Sequence, residues 1–288
     1  METALHTVLA LIAFAANSVL CRIALGSSAI DAASFSTIRL VSGAVTLWII
    51  LSLRKEWRFS RLPGNWVSAI MLFFYAVCFS FAYLSLGVGT GALILFGAVQ
   101  ATMIGAAFWS RERPSLFEWM GILLALAGLV YLVFPGLKAP STGGSALMAV
   151  AGISWGVYSL RGRVEANALA STTGNFVRSA PFAITVTVVA GSLSATHASL
   201  IGVLLAVVSG SVASGVGYVI WYSALRGLTA IRAAAVQLSV PVLAALAGLL
   251  FLSEELSIRL SLSAMMILGG IGIALAGRTQ QSVKSRAV

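Results

Sequence analysis

Residues 3–25 read TALHTVLALIAFAANSVLCRIAL, a run with no acid in which His6, Asn17 and Arg22 are the main polar interruptions. The hydrocarbon core of a bilayer is about 30 Å thick and takes roughly 20 apolar helical residues to cross, so this stretch is long enough to span it. The residues leading into it, Met1 to His6, supply no basic n-region, and no small-residue cleavage site follows. The stretch therefore predicts a retained first helix rather than a signal peptide. The same ruler finds nine further candidates: 32–53, 66–86, 90–110, 115–134, 143–160, 171–191, 199–222, 229–252 and 257–277. The linkers between them are short and marked by Gly, Pro, Ser or charge.

Composition agrees. Of 288 residues 59% are hydrophobic and 9% charged, and mean hydropathy is +1.01. A soluble domain carries roughly 25% charged residues, so a soluble enzyme and a nucleic-acid-binding domain are both excluded. The net charge of +10 is then a topology signal. With the N-terminus inside, 13 of the 18 Lys and Arg fall on inner loops or the tail, and only Arg22, Lys138 and Arg259 fall outside. This bias predicts that both termini are cytoplasmic. Cys21 and Cys78 lie in apolar runs and behave as small hydrophobes, which predicts no disulfide and no metal site.

The chain repeats itself. A shift of 139 residues superimposes Arg22 on Arg161, Arg39 on Arg178, Tyr83 on Tyr222, Leu86 on Leu225 and Thr90 on Thr229. A shift of 142 then matches Glu112 with Glu254, Ser115 with Ser257 and Gly128 with Gly270. Each unit holds five spans. Five is odd, so the second copy enters the membrane from the opposite side, a recurring design of secondary transporters. The predicted fold is an all-α membrane protein of ten transmembrane helices in two inverted five-helix repeats, 1–138 and 139–279, with a cytoplasmic tail at 280–288.

The late pattern Tyr222-Ser-Ala-Leu225, then Gln237-Leu-Ser-Val-Pro241, then Glu254 resembles the drug/metabolite transporter superfamily, in particular its ten-helix EamA-type exporters. The first-half counterpart runs from Tyr83-Leu-Ser-Leu86 to Glu112, with Thr102 where the second copy has Pro241. Within the superfamily the chain is most similar to bacterial aromatic-amino-acid exporters. That resemblance implies export of small metabolites, aromatic or bulky apolar amino acids first, across the inner membrane by alternating access. It implies a central cavity lined by the first four helices of each half, with spans 115–134 and 257–277 peripheral.

Polar groups within spans point inward or mark a pathway. Asn17, Gln100, Gln237 and Ser239, with Ser80 and Ser154, are such groups. They suit a solute's ammonium and carboxylate, or bind helix to helix. Aromatic walls suit a planar apolar side chain. Tyr75 and Phe79 share a face at i,i+4, as do Tyr218 and Tyr222, while Trp155 and Tyr158 pair at i,i+3. With Tyr83 these complete the candidate binding set. Of the six rings between Phe73 and Tyr83, about half can face one cavity. Trp48, Trp57, Trp66, Trp109 and Trp119, near span ends, belong to an interface belt. Gly152 and Gly156 let a neighbouring helix approach closely.

Arg39 and Arg178 fall seven residues past the starts of their spans, about 10 Å deep. Either they meet a solute carboxylate, or they snorkel and tie loop carbonyls to the bundle. They are assigned a gating and structural role, together with Pro241, which frees a backbone carbonyl at mid-span and predicts a kink. Gly87, Gly89 and Gly91, and Gly210, Gly215 and Gly217, are candidate flexing points. All eight acids lie at or near span ends, so no proton-coupling carboxylate is evident in the pathway. No nucleophile–base or metal constellation points to an enzyme, and no charged ring or filter to a channel. The expected partners are a small-molecule solute and the bilayer, with no cofactor, no nucleic acid and no required oligomer.

Overall fold

A computed structural model describes residues 2–53, 63–86, 88–110, 115–133, 141–193, 196–252, 258, 261–262 and 265–274. Outside these lie Trp57, Gly87, Glu112, Glu254, the 280–288 tail and most of the loop cations: Arg54, Lys55, Arg58, Arg61, Arg111, Arg113, Lys138, Arg259, Arg278, Lys284 and Arg286.

The described residues form ten helical rods. Seven are single helices: α1 (Glu2–Gly26), α2 (Ala32–Leu53), α3 (Trp66–Ala82), α4 (Val88–Trp109), α5 (Leu116–Val133), α6 (Thr142–Gly162) and α7 (Ala168–Ser192). The eighth rod is composite: α8 (Leu200–Val208), a π-helical segment (Ser209–Val216) and α9 (Gly217–Leu225). The ninth is broken into α10 (Ala230–Gln237) and α11 (Ser239–Leu252). The last is α12 (Met265–Ala274). Short polar residues start these helices by accepting an orphan backbone N–H. Asp31 accepts from Ser34, Asn65 from Ser68, Ser141 from Gly144, Asn167 from Ala170, Ser199 from Gly202 and Thr229 from Arg232. Ser115 and Glu118 cap α5 reciprocally, each side chain accepting from the other's N–H, a capping box.

The break in the ninth rod has a local cause. Pro241 has no N–H to give the Gln237 carbonyl four residues back, and α10 ends at Gln237 with Leu238 as its C-cap. The π segment, SGSVASGV, is built of small residues where the rod crosses α2. A Cβ at Gly43 would lie 2.8 Å from the Gly210 carbonyl oxygen, and one at Gly210 would collide with the Arg39 carbonyl and the Ser42 hydroxyl. These glycines are thus spent on close packing.

The outside of the bundle is apolar, with Leu5, Leu9 and Ile12 of α1, Val188 and Val189 of α7, and Leu200 and Leu204 of α8 all exposed. Trp48, Trp66 and Trp109 are exposed as well, and Trp119 is half-buried. Much of the polar inventory points inward: Asn17, Ser36, Arg39, Gln100, Thr172, Asn175, Ser214 and Gln237 are all buried. This is the polarity of a multi-pass membrane protein. α1 packs against the π segment, α9 and α11, while α6 packs against α3 and α4. α2 packs along α7, and α4 meets α10. α5 and α12 pack through facing glycines, since a Cβ on Gly270 would lie 2.5 Å from the Gly121 carbonyl oxygen.

Candidate functional site

An aromatic column runs through the middle of the bundle. α3 contributes Tyr75 and Phe79, and its C-cap residue Tyr83 continues the series, the three spaced four residues apart on one face. α6 contributes Trp155 and Tyr158, and α9 contributes Tyr218 and Tyr222. Ring centroids follow one another at 4.8 Å from Tyr83 to Phe79, 5.6 Å to Tyr75, 4.8 Å to Trp155, 5.7 Å to Tyr158 and 4.9 Å to Tyr222. Tyr218 lies beside the middle of this series, 4.7 Å from Trp155. The column thus starts at the C-terminal end of α3 and finishes near the end of α6, where Gly162 leaves room for the Tyr222 ring. Of the other α3 rings, Phe73 and Phe81 are half-buried and Phe74 is exposed.

Buried hydrogen bonds fix the rings. Trp155 Nε1 donates to Gln237 Oε1 at 2.6 Å, and Gln237 Nε2 donates to the Ala233 carbonyl and to Met103 Sδ. Tyr222 donates its hydroxyl to the Tyr158 carbonyl. Gln100 Nε2 donates to the Ala234 carbonyl at 2.7 Å, joining α4 to α10, while its Oε1 is buried and has no hydrogen-bond partner among the described residues. Ser239 stays local, donating to the Val236 carbonyl, and Ser80 does likewise with Ala76. Gly152 and Gly156 admit α4: a Cβ at Gly152 would lie 2.5 Å from the Leu95 carbonyl oxygen, and one at Gly156 2.9 Å from Thr102.

The two arginines matched by the repeat have different surroundings. Arg178 Nη1 donates to the carbonyls of Pro63, at 2.8 Å, and Gly174, tying the entry of α3 to α7. Arg39 is 1% exposed and lies against the column, its guanidinium carbon 5.3 Å from the Tyr75 ring centre and 6.0 Å from that of Phe79. Its Nε donates to Ser214 Oγ at 2.8 Å and its Nη2 to the Tyr218 hydroxyl at 2.6 Å. Asn17 joins the same network, its Oδ1 accepting from Ser209 at 2.6 Å and Ser214 at 3.4 Å.

Both ends of the bundle are clipped. At one, the α1–α2 turn pairs with the α7–α8 linker: Ile30 and Ala198 form an antiparallel bridge, and Asp31 Oδ2 accepts from the His197 N–H at 2.8 Å. Burial raises the Asp31 pKa, but the N–H groups of Ser34 and His197 outweigh it and hold the carboxyl below its ordinary value. At the other end, the Asn65 N–H donates to Asn175 Oδ1, and Arg161 donates to Ser68 and Asn65. Gly64 makes this turn at φ +89°, where a Cβ would lie 2.6 Å from Asn175 Oδ1. Among the described residues no group of three His, Cys, Asp or Glu is placed to hold a metal ion.

The structure adds column members that pattern reading passed over. Phe14 meets Trp155, Tyr218 and Trp221 edge-on at 5.1–5.8 Å, and Phe176 lies 5.9 Å from Tyr218. Phe14 stands three residues before Asn17 and Trp221 three after Tyr218, the spacing that shares a helix face. A separate cavity of about 380 Å³ lies between α2, the α6–α7 turn and α9, lined by Leu47, Ile50, Leu169, Val216, Val219 and Arg226 among others. None of the column residues lines it.

A ten-rod helical bundle with an apolar exterior and a polar, aromatic interior is the build of a membrane transporter. The EamA-like transporter family profile matches the chain twice, over residues 2–134 and 142–276, and the chain belongs to that family, within the drug/metabolite transporter superfamily. It is 48% identical over 99% of both chains to a Pseudomonas aeruginosa protein named "Uncharacterized protein PA1977". It is 27% identical to the Bacillus subtilis "Uncharacterized transporter YwfM", covering 88% of this chain and 87% of the relative. A crystal structure 20% identical in sequence superimposes with a TM-score of 0.76 over 95% of this chain and 99% of the other, which shows the shared fold. The protein is thus a membrane transporter of small molecules.

Proposed function

We propose that the protein exports small amphipathic metabolites, aromatic or bulky apolar amino acids first, across the bacterial inner membrane by alternating access. The observation that carries this reading is the aromatic column, which links one end of the bundle to the other through side chains from α1, α3, α6, α7 and α9. Offset and edge-to-face packing suits such a path to a planar apolar side chain, and the buried amides and hydroxyls beside it supply donors and acceptors for a zwitterion.

Alternating access needs two related halves, and the packing supports a division at 1–138 and 139–279. α1 meets α9 and α11 as α6 meets α3 and α4, while α2 with α7 and α4 with α10 pair across the centre. The double family match supports the same division. The basic loops favour cytoplasmic termini. Glu2, Asp31, Glu118 and Glu165 lie at helix ends, so the reading is transport without a fixed carboxylate in the path.

The test is counterflow of labelled phenylalanine into proteoliposomes preloaded with unlabelled phenylalanine, with and without a pH gradient. Uptake indifferent to the gradient is expected. Uptake driven by protons points instead to a proton-coupled exporter of metabolites or drugs, with His6 the first group to examine. No uptake from several folded preparations overturns the aromatic assignment.

A further inference from the structure

Arg39 is a cation at mid-bundle with neutral partners. Among the described residues its well-aligned hydrogen bonds go to Ser214 and Tyr218, both hydroxyls, its Nη1 is buried and completes none of that quality, and the Tyr75 hydroxyl stands beside the guanidinium as a third neutral partner. Nη2 spends one of its two hydrogens on Tyr218. The Nη1–Nη2 edge therefore keeps donor capacity, and a guanidinium edge is the shape that grips a carboxylate through two parallel bonds. The flanking rings of Tyr75 and Phe79 face the guanidinium and soften the cost of burying it, but they bring no negative charge.

We infer that Arg39 is the residue that recognises the carboxylate of the transported solute, so that the protein selects aromatic monocarboxylates and discriminates against amines that lack the acid group. The inference rests on the aromatic column being the solute path. A buried cation with no fixed counter-charge among the described residues is costly in a bilayer, and a carboxylate docked on its Nη1 edge, displacing at most the Tyr75 hydroxyl, removes that cost while the solute's ring lies among Tyr75, Phe79 and Trp155. Selectivity then comes from the protein's own unpaired group: a solute without the carboxylate leaves Nη1 unsatisfied and is penalised. The other repeated arginine has no such opening to the column, because its Nη1 bonds to the Pro63 and Gly174 carbonyls.

The experiment is calorimetric titration of the full chain in lipid nanodiscs with four probes: phenylalanine, 3-phenylpropionate, phenethylamine and 4-methylpentanoate. Phenylpropionate, which lacks the ammonium, is expected to bind, and phenethylamine, which lacks the carboxylate, to bind at least about tenfold more weakly. Arg39→Gln is expected to weaken both carboxylates carrying a ring at least about tenfold and to move phenethylamine less than about twofold. Arg39→Lys, which keeps the charge and loses the fork, is expected to fall between. Thermal unfolding of each variant separates lost recognition from lost fold, and the wild-type probe series needs no variant at all. Phenethylamine binding as tightly as phenylalanine overturns the inference, as does carboxylate binding that ignores Arg39→Gln, or no binding of any carboxylate. If 4-methylpentanoate binds as well as phenylpropionate and depends on Arg39, the aromatic preference fails while the role of Arg39 stands.

Discussion

Trp155 shows how much one side chain does here. Its ring stacks on Tyr158 and meets Tyr75 at a tilt, and its Nε1–H is what satisfies Gln237 Oε1. Trp155→Phe keeps an aromatic face and removes the donor, leaving a buried amide oxygen without a partner. Orphaned buried acceptors cost about 1–3 kcal/mol, while interhelical hydrogen bonds in bilayers average nearer 0.6, so a loss of about 1 kcal/mol is expected. A melting temperature in detergent that falls measurably, with counterflow weakened, bears this out. An unchanged melting temperature would mean that the Trp155–Gln237 bond is not a support of the column.

Among the elements, the ninth rod is the most informative. Pro241 denies a donor to the Gln237 carbonyl, and the rod breaks where Gln237 turns its side chain toward the column. If transport proceeds by the proposed alternating access, a hinge at that place would let α10 and α11 move separately while solute passes. Pro241→Ala restores the N–H, and the expected result is slower turnover with solute affinity within about twofold. Turnover unchanged in a folded variant would remove the hinge from the account.

The spans were legible in the sequence because their length is set by the bilayer, and the break because proline chemistry is local. The rotational phase of each helix was not. Lipid-facing and inward-facing positions are both apolar in a membrane bundle, so Phe14, Phe176 and Trp221 carried no contrast against their neighbours. Counting from the helix start gave the depth of Arg39, but only its packing against the π segment put the guanidinium beside Tyr75. The glycines of that segment looked like flexing points for the same reason, since a small residue in sequence does not say whether it faces a void or a backbone.

Across the molecule, hydrogen bonds from linker N–H groups clip the bundle at both ends. The Asp31 carboxyl is held below the 3.8 of a free aspartate, so its charged form stabilises the folded state. That contribution is complete above about 3.8, and it is lost as pH falls through the lower folded value. Asp31→Asn is expected to lower the melting temperature at pH 7 and to flatten its decline between pH 4 and 3. A variant that declines as steeply as the wild type would place the acid sensitivity elsewhere.

Where the solute sits decides the account. Photolabelling with 4-azidophenylalanine in nanodiscs, followed by peptide mapping, locates it. Labels on α3 around Tyr75–Phe79, on α6 around Trp155–Tyr158 and on α9, all competed by phenylalanine, are the expected result. Labels confined to the 380 Å³ cavity beside Leu47, Ile50 and Val219, or to the lipid face, would contradict it.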